Sequence, residues 1–206
     1  MLQHGALLER LLAGAFICRV SDEDAFRHVS DEQSQHDINH YLRPLNRRLV
    51  SNDDKSVYYL AYHELNKTAR EHLSNQFSQT VQSLLPLLEW LQLVQETLGR
   101  DSAITAGDTI KLQEFVLRTE DNQSLRQRLN QLAADRFFNS QSDALDNQVK
   151  LIFRRLKEHG YLLQPHHDRQ YYIVTGKIDY LIDVIRFIRD EEHLPVDDTP
   201  TQQALL

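Results

Sequence analysis

ALDNQVKLIFRRLKEHG, residues 144–160, runs directly into YLLQPHHDRQYYIVTG, residues 161–176, and this junction decides the fold. Leu145, Val149, Ile152, Phe153 and Leu156 fall at i, i+4, i+7, i+8 and i+11, so they form one apolar stripe of a 3.6-residue helix. Lys150, Arg154 and Lys157 line the other side. Gly160 stands where a left-handed residue ends a helix. Beyond it, Tyr161–Leu163 and Gln170–Val174 are short runs rich in aromatic and branched residues, separated by the turn-forming residues 164–169. A helix that stops at a glycine and feeds a hairpin is the back half of a winged helix, with the helix for recognition and the hairpin as wing.

The same order occurs earlier in the chain. Ile38, Tyr41, Leu42, Leu45 and Leu49 repeat the helical spacing, followed by Val50-Ser51, a turn at 52–55 and a strand over Ser56–Tyr62. Pro44 removes a backbone donor inside this first helix, which is therefore kinked or begins late. Upstream, Leu7, Leu8, Leu11, Leu12 and Ala15 predict a short helix, Phe16–Val20 a strand, and Ser21 an N-cap before a helix over Ala25–Val29. Phe77, Val81, Leu84, Leu85, Leu88 and Leu91 predict the opening helix of a second unit, with a wide apolar face, bent at Pro86, with Trp90 at its side. Ile104–Thr105 supplies that unit's first strand, Gly107-Asp108-Thr109 a turn, Ile110–Leu117 a helix, and Leu125, Leu129 and Leu132 the stripe of an additional one. Ile178, Leu181, Ile182, Ile185 and Ile188 mark a closing helix.

These readings give a mainly α chain with small β-hairpins, an α+β fold of tandem winged-helix domains. Residues 1–66 form the N-terminal one, 67–192 an elaborated C-terminal one, and 193–206 a mobile acidic tail. At 206 residues and 41% hydrophobic content the chain is large enough to bury two small cores. No run of about 18 apolar residues predicts a membrane span, and Glu9 and Arg10 interrupt the N-terminal apolar stretch, so the expectation is a cytoplasmic protein without a signal peptide. The single cysteine, Cys18, excludes an intramolecular disulfide framework and is expected to be a buried, inert thiol.

The net charge of −7 argues against a protein that grips DNA tightly on its own. Its cations are nevertheless clustered: residues 145–175 hold five Lys/Arg against three Asp/Glu. Lys150, Arg154, Arg155 and Lys157, with Arg169 in the wing, are candidates to neutralise phosphates, as are Arg43, Arg47, Arg48 and Lys55 in the first copy. The competing reading is an ordinary solvated helix face. Asn147 and Gln148 are of the type that bonds adenine edges. Tyr58, Tyr59, Tyr62, Tyr161, Tyr171 and Tyr172 crowd the two hairpins; strand alternation buries about half, and the outward ones suit a protein interface.

Catalytic signatures are missing: there is no GxxxxGK[ST] loop, no GxGxxG turn and no GxSxG elbow. His36 with His40, and His166-His167 beside Asp168, have spacings that permit two metal ligands but not the three or four a site needs. The expectation is no enzyme, no metal and no cofactor.

RRLVSNDDKSVYYLAY (47–62), HGYLLQPHHDRQYYIV (159–174) and the closing KIDYLIDVIRFIRDEE (177–192) sit in an acidic chain of two such units. In this the sequence resembles the kite subunits of bacterial condensins, the MksE and MukE family, over roughly residues 1–192. The resemblance implies a homodimeric, non-enzymatic, nucleoid-associated subunit. Such a subunit binds the kleisin MksF and, through it, the SMC ATPase MksB, in a complex for chromosome organisation, condensation and segregation or for plasmid restriction. It also implies sequence-tolerant clamping of double-stranded DNA over the SMC heads. Pro44 and the short C-terminal tail depart from the family's pattern. The alternative is a winged-helix transcription regulator or plasmid replication initiator that reads a defined site, which would need a strongly basic recognition helix.

Overall fold

The computed structural model describes residues 5–192, so the predicted acidic tail at 193–206 lies outside the described residues. Helix α1, Gly5–Leu12, buries Leu7, Leu8 and Leu11 as its spacing predicts. It leads to the two-residue strand β1, Ile17–Cys18, and then to α2, Glu23–Ser30. The cap of α2 is Asp22, not Ser21: the Asp22 carboxylate accepts the Ala25 N–H at 2.8 Å and pairs with Arg10 at 2.5 Å. Ser21 is occupied by the strand end instead, accepting the Cys18 N–H at 3.0 Å. A second helix, α3, Glu32–Leu42, starts at Asp31, whose side chain accepts the Ser34 N–H.

Here the chain departs from the expected long helix. Arg43–Leu45 forms a 3-10 turn containing Pro44, and Asn46 takes a left-handed φ of 55° that ends it. Strand β2 follows at Arg47–Ser51. Leu49 is therefore a strand residue, its N–H held by the Asn39 side chain at 2.7 Å, and Leu45 is left exposed rather than in the core. Strand β3, Val57–Tyr62, pairs antiparallel with both neighbours in the order β1-β3-β2, with Ile17 opposite Tyr58 and Leu49 opposite Leu60.

The second half begins with α4, Lys67–Leu98, a 32-residue helix capped by the Asn66 side chain and closed by left-handed Gly99. It continues through Pro86. Strand β4 lies at Thr109–Lys111, five residues after the predicted Ile104–Thr105, because Gly107 (φ 94°) and the Asp108 carboxylate on the Thr105 N–H hold the preceding residues in a turn. Then come α5, Leu112–Glu120; α6, Gln123–Ala134; α7, Leu145–Glu158; β5, Leu162–Leu163; β6, Tyr171–Val174; and α8, Lys177–Glu192. Gly160 has the predicted positive φ, 77°. The second sheet has the order β4-β6-β5, again with the last strand of the three in the middle. The chain is thus mainly helical with two small antiparallel sheets.

Two separate hydrophobic cores correspond to the two halves. One gathers Leu11, Ile17, Val29, Ile38, Leu42 and Tyr58. The larger packs α4 from Leu87 onward against α5, α6, α7 and the second sheet, with Phe153 in ring contact with Trp90, Phe115 and Tyr172. Trp90 is fully buried, more deeply than its predicted flank position.

The halves meet where α8 begins. The Gly176 N–H donates to the Cys18 sulfur at 3.2 Å. A Cβ at Gly176 would stand 2.8 Å from the Cys18 Cβ and 3.3 Å from that of Val57, so only glycine fits. One turn on, Tyr180 packs against Phe16 and Tyr59 at centroid distances of 4.7 and 4.8 Å. The Lys177 ammonium lies over the rings of Phe16 and Tyr161 and donates to the His159 carbonyl at 2.7 Å. Cys18 is buried, as expected for a structural thiol.

Two outcomes follow from this junction. Gly176→Ala overpacks two side chains that cannot swing away, and denaturant unfolding should show a loss of about 1–3 kcal/mol. Burial and the neighbouring Tyr180 push the Tyr161 phenol up to about 12, from 10.0. A raised folded-state value means stability that is intact below pH 10 and is lost as the pH climbs through 12. Burial lowers Lys177, which has the opposite sign, so the test is a difference: the alkaline loss measured for the parent chain should shrink in Tyr161→Phe.

Candidate interaction surfaces

The nine cations proposed from sequence fall into two groups with different electrostatic situations. On α7, Lys150 pairs with Asp146 one turn back, and Arg154 and Arg155 share Glu158 at 3.7 and 3.1 Å. Three of the five cations of the second half are therefore partly neutralised by their own helix. These pairs are exposed and individually weak, but a phosphate must compete with them. Lys157 donates to the Gln164 side chain at 3.1 Å, and Gln164 in turn bonds the Arg169 carbonyl, which ties the end of α7 to the turn of the second hairpin. Lys157 and Arg169 form no ion pair among the described residues.

In the first half, Arg43 precedes Pro44 in the 3-10 turn, Arg48 is exposed on β2, and Lys55 occupies a left-handed position in the hairpin turn. None of these three has an ion-pair partner among the described residues. Arg47 lies flat over the Tyr62 ring at 3.5 Å, where part of its guanidinium is buried without a hydrogen-bond acceptor. Tyr62 also meets His72 of α4 at 3.1 Å. The first hairpin's turn carries acid as well: Asp54 is among the charges acting on Asp179, whose carboxyl is pushed above its ordinary range first by burial. Asp53 and Asp183 likewise act on Tyr59, again behind burial as the main cause. This turn therefore faces the start of α8, and only part of it is available to a polyanion.

Gln148 is not a base-reading residue. It is 5% exposed, and its amide donates to the Ser142 carbonyl at 2.8 Å, which fixes the loop before α7. Asn147 is exposed and bonds the Ser142 hydroxyl. The tyrosines divide as alternation requires: Tyr58, Tyr161 and Tyr172 are buried, while Tyr59, Tyr62 and Tyr171 are half-buried. Among the described residues no three His, Cys, Asp or Glu side chains converge on a point that would hold a metal ion, and no helix is long and apolar enough to cross a membrane.

The largest difference from the sequence reading concerns α4. Phe77, Val81 and Leu85, assigned above to one wide apolar face with Leu84, Leu88 and Leu91, are 51%, 43% and 75% exposed, and Leu73 joins them at 38%. Only from Leu84 onward does the helix enter the larger core. The signal was present in the sequence as an absence: no charged residue occurs between Glu71 and Glu89. Gly176, Lys177 and Tyr180 were also not anticipated as the seam between the halves. A lysine at the start of an amphipathic helix reads as solvated until its aromatic neighbours, distant in sequence, are known.

A family model described as condensin complex protein MksE matches residues 3–186. This span takes in both sheets, both cores and most of α8, so the chain belongs to the MksE family of condensin complex proteins. Compared with curated proteins, it matches none.

Proposed function

We propose that this chain is the non-catalytic kite subunit of an SMC condensin, built from two winged-helix units over 1–66 and 67–192. It binds a kleisin of the MksF type, reaches an MksB-type SMC ATPase through it, and helps clamp double-stranded DNA for chromosome organisation or plasmid restriction. The observation that carries this reading is the repeated topology. Helix, strand, helix, helix, strand, strand occurs in the first half, and recurs in the second with one helix added before the last two strands and α8 added after them. In both sheets the final strand is central. The condensin family match over residues 3–186 supports reading this recurrence as the two units of such a subunit.

DNA contact on this reading is a phosphate-neutralising, sequence-tolerant contribution within a larger complex. The unpaired Arg43 and Arg48 carry more of it than the self-neutralised Arg154 and Arg155. Fluorescence anisotropy of the assembled complex on unrelated duplexes, across a salt series, measures this. Arg43→Glu with Arg48→Glu should weaken binding more than Arg154→Glu with Arg155→Glu, and equally on all sequences. A preference of about a thousandfold for one defined duplex would instead identify a regulator.

Kleisin capture has its own signature. Ordering a flexible segment against apolar surface gives a negative heat-capacity change. Calorimetry at several temperatures with an MksF-type kleisin should show tight binding with that sign. ATP turnover should appear only on addition of the SMC subunit, and turnover by the isolated chain would overturn the reading.

A further inference from the structure

We propose that Leu73, Phe77, Val81 and Leu85 form the contact through which two copies of this chain cross, α4 against α4. The proposal deepens the homodimer reading above by naming the surface, and the test separates the two. Between Ala69 and Leu84 none of the residues whose burial is described is buried, so about four turns of the helix stand free of both cores. The sequence there, REHLSNQFSQTVQS, is rich in Ser, Asn, Gln and Thr, and among the described residues no ion pair is formed on it. A solvated helix of that composition and length is marginal in water and is normally held by packing.

The spacing of four identifies the packing partner's geometry. Residues 73, 77, 81 and 85 lie on a single i±4n ridge, and two such ridges interlock at about −50°, a crossing rather than a coiled coil. In a twofold contact residue i meets j while j meets i. A centre midway between 77 and 81 sets the large Phe77 against the partner's smaller Val81, and Leu73 against the partner's Leu85. The pairing is self-complementary in size. It is also neutral: a twofold brings like surfaces together, and a ridge free of charge is what a chain of net −7 needs to meet itself without repulsion. The same neutrality offers nothing to select a charged foreign partner.

The flanking polar groups are cheap to bury. The hydroxyls of Ser78, Thr80 and Ser83 already donate to the carbonyls of Ser74, Gln76 and Thr80 on their own helix. Four large side chains at these exposures offer on the order of 400 Å2 per copy, within the range of the largest apolar patches on monomers, which are often functional. That is about half of a standard 800 Å2 share, and the flanking residues supply the rest.

The experiment uses the full chain in sedimentation equilibrium at micromolar concentration, with circular dichroism to confirm folding. The parent chain should be dimeric. Phe77→Lys and Val81→Glu, each alone, should weaken the dimer at least tenfold, and mixing the two should restore a heterodimer, since only the crossing apposes 77 with 81. The double variant Phe77→Cys with Val81→Cys should give a covalent dimer on mild oxidation. A dimer that persists in both charge variants and fails to cross-link overturns the ridge while leaving the dimer reading intact. A strictly monomeric parent overturns both. Loss of kleisin capture with the dimer unchanged would assign the ridge to the kleisin and overturn the proposal.

Discussion

A single close approach, the backbone of Gly176 against the side chain of Cys18, determines how the two halves of this chain can be arranged. The first sheet ends at Cys18 and Val57, the second unit's last strand ends at Val174, and Gly176, two residues further on, has no room for a Cβ. Everything beyond depends on that contact. It lets α8 start beside the first sheet, so that Tyr180 reaches Phe16 and Tyr59 and the Lys177 stem lies among aromatic rings while its ammonium finds the His159 carbonyl. Burying a lysine stem in this way is tolerated because the charged head keeps both a hydrogen bond and two π faces.

Electrostatics divides the same molecule differently. The helix that looks most like a nucleic-acid reader, α7, carries its own counterions in Asp146 and Glu158. The less regular segment around Pro44 presents cations that have no counterion among the described residues. Counting basic residues along a helix therefore overstates its attraction for phosphate, since what matters is the charge left after i,i+4 pairing. On the proposed DNA-clamping reading, cations left without counterions would act most effectively when partners hold the duplex nearby, where a weak local contact is converted into an intramolecular one.

The legibility of the sequence followed the range of the interactions concerned. The α7 stripe, the Gly160 stop, both hairpins and α8 were readable because helix periodicity, strand alternation and left-handed glycine act within a few residues. Residues 38–49 misled because Leu45 and Leu49 continue the helical spacing by coincidence, and the chain obeys Asn46 and the Asn39 side-chain bond instead. The strand near residue 104 was misplaced since Ile104 is buried without being in a strand. Burial of Gln148, the neutralisation of Arg154 and Arg155, and exposure of Phe77 all depend on where a helix face points after folding, which periodicity leaves open. The family resemblance, by contrast, survived these errors, because it rested on the order of elements rather than their exact ends.

The chain connects its halves twice, and in mechanical terms that makes a closed frame. One connection is α4, whose first turns carry Ala69 and the His72 that meets Tyr62, and whose last turns are built into the larger core. The other is the Gly176 seam. A strut fixed at both ends cannot act as a hinge, so the first sheet cannot rotate about α4 unless the Cys18 contact opens, nor can the seam open without torque on the helix. The two halves therefore have two routes into each other, the helix and the seam, and both must yield together before the halves can part.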